Sequence, residues 1–80
     1  MSKEYYRKRL VDLRAQVARE REAKKRDNEN YARMIRGASY PATKASYRKG
    51  KISCAASHDR RIESLRREIA STQQSLRNCR

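Results

Sequence analysis

Apolar side chains recur along the first half of the chain at alternating four- and three-residue steps, as Tyr6, Leu10, Leu13 and Val17. The same spacing continues through the polar residues Glu20, Lys24 and Asp27, then becomes apolar again at Tyr31 and Met34. A second stretch repeats it as Ala55, His58, Ile62, Leu65, Ile69, Thr72, Leu76 and Cys79. Steps of three and four residues fall on one stripe only when the backbone is helical, and a stripe that narrow is the seam of a coiled coil. Each stripe needs a helix to cover it. The pattern therefore predicts an all-α chain, a two-helix antiparallel hairpin, completed into a bundle by self-association or by a partner.

Stop and start signals place the elements. Ser2 is a suitable N-cap for the first helix. Gly37 can supply a left-handed residue at its end, and Pro41 suits the first turn of the next helix. The predicted elements are a helix over 2–36, a turn over 37–40 and a helix over 41–79, with a bend near Gly50, all within one domain. A longer loop over 37–54 competes with this division, because that stretch contains Gly50 and residues 37–58 lack any acidic side chain. Register decides between them. A tight turn sets Leu10 near Ile69, Leu13 near Leu65, Val17 near Ile62 and Tyr31 near Ala45, so apolar meets apolar. The long loop would face Ile62, Leu65 and Ile69 with Glu29, Asp27 and Glu22. The tight turn also brings Arg9 near Glu68 and Arg21 near Asp59, although it sets Arg14 near Arg66, and it places the polar stretch Glu20–Asp27 opposite small residues and lysines as a poorly packed layer.

Composition limits what such a hairpin can do alone. The 80 residues are 36% hydrophobic and 39% charged, with 22 Lys and Arg against 9 Asp and Glu, a net charge of +13. About ten buried apolar side chains must offset ~1–2 kcal/mol of backbone entropy per ordered residue, which leaves an isolated hairpin marginal. A multi-layer enzyme fold is excluded by size. The net charge calls for an acidic partner or surface. A second apolar strip on the first helix, Val11, Ala15 and Ala18, continued by Ala32 and Ile35, is the expected docking face for further helices.

Candidate chemistry is sparse. Cys54 and Cys79 would stand ~37 Å apart on one helix at ~1.5 Å per residue, beyond disulfide reach, so thiols are expected, with a Cys79 bridge between two copies as the alternative. With only two cysteines and one histidine, neither a disulfide framework nor a zinc site has the ligands it needs, and no Glu-x-x-His pair supports a di-metal bundle. No metal or cofactor is expected. His58 is read as a seam residue opposite Arg19 or Glu20, a pH-sensitive polar spot. Ser57 and Cys54 lie near it without a triad or an oxyanion donor set, so no catalytic residue is assigned.

The basic residues are spread over both helices, twelve in residues 1–36 and ten in 37–80. Lys44, Arg48 and Lys51 share a helical face in the acid-free segment, with Tyr40 and Tyr47 between them and Arg33 and Arg36 across the turn. This tip is the candidate site for phosphate or RNA, because Arg and Lys neutralise phosphates and Tyr stacks on unpaired bases. No sequence-reading DNA-binding pattern accompanies it. The expected function is non-enzymatic docking on a helical, acidic protein partner or a second copy. Nucleic-acid backbone binding is the alternative.

An N-terminal helix, a short turn and a second helix within eighty residues resemble the small helical-hairpin proteins of bacterial type VII secretion. That family carries a Trp-x-Gly turn and, in many members, a Tyr-x-x-x-Asp/Glu export signal. Here the turn offers Tyr40-Pro41, and Tyr5, Tyr6, Tyr31 and Tyr40 are followed four residues on by Arg9, Leu10, Ile35 and Lys44. The resemblance implies a bundle with a partner's helices and a chaperone-like or targeting role. The N-terminal residues lack the apolar run of a signal peptide and no segment is apolar enough to span a bilayer, so the expected location is cytoplasmic, or exported without a signal peptide.

Overall fold

A computed structural model describes residues 2–79 and places them in two helices, α1 (Lys3–Gly37) and α2 (Pro41–Asn78), which pack antiparallel as a rod of 62 × 14 × 12 Å. The chain is an all-α helical hairpin. Among the described residues there is no strand, and no helix is long and apolar enough to cross a membrane.

Local chemistry explains the ends. Ser2 is extended and its hydroxyl accepts from the Tyr5 N–H at 3.3 Å, satisfying one of the free donors of the first turn. Pro41 sits at the start of α2, and Tyr40 before it is extended at ψ 136°, as proline's ring requires of the preceding residue. The left-handed glycine expected at residue 37 is not formed. Gly37 is the last residue of α1 and neither glycine has a positive φ. Ala38 is extended instead, its N–H reaching the Ile35 carbonyl at 3.4 Å. With both Ala38 and Tyr40 extended, the connection reverses the chain without a left-handed residue.

The core is small and lies toward the open end of the hairpin. Leu13, Val17, Ile62 and Leu65 form one buried cluster with Ile69 against it, and Leu10 is also buried. This is the apolar pairing the tight turn requires, and it takes five buried side chains rather than about ten. Tyr6 and Leu76 are half-buried along the same seam. Met34 departs from it, being 42% exposed, while Ile35 is half-buried rather than part of an exposed strip. The cause is geometric. A straight α-helix drifts by about 20° per heptad from a strict seven-residue repeat, so four heptads after Tyr6 the seam has moved by nearly one position, from 34 to 35.

Toward the turn, long side chains meet partners about one helical turn beyond the residues that facing backbones suggest. Tyr31 lies on Gly50, further along α2 than Ala45, and Asp59 pairs with Lys24 at 2.6 Å rather than with Arg21. No ion pair joins Arg9 to Glu68 among the described residues. Side chains lean toward the N-terminus of their own helix, so those of α1 reach away from the turn and those of α2 reach toward it.

Gly50 is therefore a seat for an aromatic ring within an uninterrupted helix. A Cβ built there would lie 2.9 Å from Tyr31 Cε1 and 3.1 Å from its Oη. The helix would gain about 1 kcal/mol from Ala at this position, but only by displacing the ring. Gly50→Ala should thus stabilise a Tyr31→Ala background by about that amount and the native chain by clearly less. A double-mutant cycle in urea measures the coupling, and equal gains in both backgrounds would remove the ring from the glycine.

Candidate functional site: a polar layer around His58

Glu20, Lys24 and Asp27 continue the α1 seam without apolar side chains, and Cys54 and His58 stand four residues apart on the face of α2 that meets them. Positions four apart on a helix are stacked neighbours, so the thiol and imidazole project together. Packing brings His58 between two carboxylates. Its Nδ1 lies 2.7 Å from Glu20 Oε1 and its Nε2 lies 2.7 Å from Asp27 Oδ2. Asp27 Oδ2 also accepts from the Cys54 thiol at 3.5 Å. The His58 side chain is 15% exposed, whereas Asp27 reaches the surface. Lys24 donates to Asp59 beside this layer.

Two acceptors on one imidazole require two ring N–H donors, and only the imidazolium has both. Hydrogen bonds to Asp27 and then Glu20, reinforced by their charges, hold His58 above its ordinary pKa despite partial desolvation. The same bond from His58, followed by that from Cys54, holds Asp27 below the usual carboxylate range. Desolvation and then the Asp27 hydrogen bond push the Cys54 thiol up. A thiol kept protonated beside a carboxylate is the reverse of the electropositive setting that activates cysteine as a nucleophile. Ser57 is turned elsewhere, donating to the Ser53 carbonyl and accepting from Arg60.

The register set His58 opposite Arg19 or Glu20, and the imidazole meets Glu20. It missed Asp27, the partner that His58 and its neighbour Cys54 share, because His58 leans toward the turn. The lean also carries the imidazole to Asp27, three residues beyond Lys24. The signal was nonetheless present: a carboxylate pair one heptad apart on one seam, and Cys-x-x-x-His on the other.

At the open end, Leu10, Val11 and Leu76 line a groove of about 550 Å³ together with Arg7, Arg14, Arg77 and Gln73. Of the predicted docking strip, Val11 is 68% exposed and Ala15 and Ala18 are exposed, whereas Ala32 and Ile35 are half-buried. At the turn, Arg33, Arg36 and Arg48 are exposed and Lys44 and Lys51 half-buried. Arg33 donates to the Asn30 amide oxygen and shares a shallow depression with Arg36, Ala32 and Glu29. Tyr40, 73% exposed, stands at the tip. No protein-family model, curated protein or solved structure matches this chain.

Proposed function

We propose that the chain is a non-enzymatic helical docking protein whose open end receives an acidic amphipathic helix of a larger partner. The carrying observation is the groove lined jointly by Leu10, Val11 and Leu76 and by three arginines. An apolar lining shared with guanidinium groups suits a helix with an apolar stripe flanked by Asp and Glu. A second copy suits it less well, because it would bring a +13 surface against itself. Val11, Ala15 and Ala18 extend the same face along α1. A chaperone-like or targeting role, as the hairpin resemblance implies, would use docking of this kind.

The test uses a defined helical peptide with Leu at every third or fourth position and Glu flanking them. Binding should weaken roughly tenfold or more in Val11→Glu, since that carboxylate must be desolvated when the groove is covered. Charge reversal of Arg14 and Arg77 should act likewise, and replacement of Lys44, Arg48 and Lys51 by Gln should do little. Equal binding by wild type and Val11→Glu would remove the groove as the site.

Nucleic-acid binding is kept as a second reading for one observation: an exposed tyrosine at a tip whose α2 side, through residue 58, lacks acidic groups. Replacing Lys44, Arg48 and Lys51 by Gln should then make the salt dependence of single-stranded RNA binding shallower by up to about three phosphate contacts. Fluorescence anisotropy across a salt series reads this. An unchanged slope would clear the tip of that role.

A further inference from the structure

We propose that Asp27, Cys54 and His58 form a three-ligand site for zinc that ties α1 to α2 in the polar layer of the hairpin. One donor atom from each residue, a carboxylate oxygen, the thiol sulfur and an imidazole nitrogen, lies within 4.8 Å of the others. Tetrahedral zinc with bonds of about 2.0–2.3 Å sets its ligand atoms about 3.3–3.6 Å apart. The sulfur-to-carboxylate distance is already 3.5 Å, and the imidazole-to-carboxylate distance of 2.7 Å must open by about half an ångström to admit the ion. All three ligands stand on long helices, so their spacing is held by the backbone rather than by a loop.

Glu20 supplies the feature that distinguishes this cluster from a chance meeting of polar groups. It holds His58 Nδ1 at 2.7 Å, on the side of the ring away from Asp27. A metal-bound histidine is commonly oriented by a carboxylate on its other nitrogen, which fixes the tautomer that leaves Nε2 to bind. The donor set selects the metal. Thiolate and imidazole favour zinc and neighbouring late transition ions over magnesium and calcium, which take oxygen ligands.

Charge also balances. The ion enters with two positive charges as two protons leave, one from the His58 imidazolium and one from the Cys54 thiol. The net charge of the layer is unchanged, so the surrounding basic protein adds no net penalty to the exchange. The fourth position is left to water, which reaches the site past the partly exposed Asp27. Binding would stabilise the stretch of the hairpin that lacks buried apolar side chains.

Cobalt(II) titration of the full reduced chain reads the site directly. The expected result is one ion per chain, with a thiolate-to-cobalt charge-transfer band that zinc abolishes and a higher Tm with zinc. Cys79→Ser should keep the band. Cys54→Ser should lose it, and His58→Gln and Asp27→Asn should each weaken binding at least tenfold. Glu20→Gln should weaken it by roughly 10–100-fold through loss of orientation. Circular dichroism of each variant without metal separates lost ligation from lost fold, and Cys54→Ser changes only one atom. Absence of the band in the folded native chain, or a band lost with Cys79 rather than Cys54, overturns the proposal. So does zinc affinity unchanged in Cys54→Ser or His58→Gln.

Discussion

Replacing Leu13 with alanine should destabilise the hairpin by about 2–5 kcal/mol, enough to unfold much of the isolated chain at 37 °C. Leu13 is 0% exposed and Leu65, in the same cluster, 1%. In a larger protein neighbouring side chains could settle into the cavity. Here the cluster holds four buried residues with Ile69 on its edge, so nothing lies behind Leu13 to move in. Leu65→Ala should match it in size. Val11→Ala, on the same helix but mostly exposed, should change stability by less than about 0.5 kcal/mol. Urea unfolding followed by helical circular dichroism compares the three, and a Leu13→Ala chain as stable as Val11→Ala would show that the cluster is not the core. Cysteines at 13 and 65 should crosslink within one chain, which tests the register separately from the energetics.

Stability in chelating buffer should be greatest between about pH 4 and pH 6.5 and should decline on both sides, with the alkaline decline traceable to His58. The groups facing its imidazole are Glu20 and Asp27 from α1 and Cys54 from its own helix, with the Lys24–Asp59 pair alongside. His58 binds its proton more tightly folded than unfolded, where the value is 6.5. Its contribution is therefore complete below about pH 6.5 and is lost as pH rises through the raised folded value. Asp27 has the opposite sign. Its folded value lies below the unfolded 3.8, so its contribution is present above that pH and is lost as pH falls through the depressed value. The Cys54 thiol, raised above 9.0, adds a further loss in more alkaline solution as a second anion forms beside Asp27. Urea midpoints at half-unit pH steps should show His58→Gln without the fall that begins above pH 6.5. A native chain equally stable at pH 5.5 and 8.5 would mean that the imidazolium does not bridge the helices.

The elements of this fold are legible because their causes are local. Helical hydrogen bonds join residues four apart, so Leu10, Leu13 and Val17, and Ile62, Leu65 and Ile69, declare their stripes without reference to anything distant. Ser2 and Pro41 mark starts for equally local reasons. Pairing of the two apolar runs was legible as well, since a single tight turn brings both into contact and the long loop would set them against carboxylates. Gly37 was misread because its sequence context permits a left-handed cap but does not require one.

What the sequence by itself determined was the pair of helices, the position of the turn, the apolar seam and the excess of positive charge. The tertiary structure decided which side chains finish on which, because that depends on the lean of each side chain, on the drift of the seam along a straight helix and on the offset between two backbones. Ile35 rather than Met34 turns inward through the drift, and Tyr31 settles on Gly50 through the lean. The polar layer needed all of these at once. Glu20 and Asp27 are seven residues apart on one helix, and Cys54 and His58 are four apart on the other. Only the offset of the packed helices puts one imidazole within 2.7 Å of both carboxylates and lays a thiol against the second.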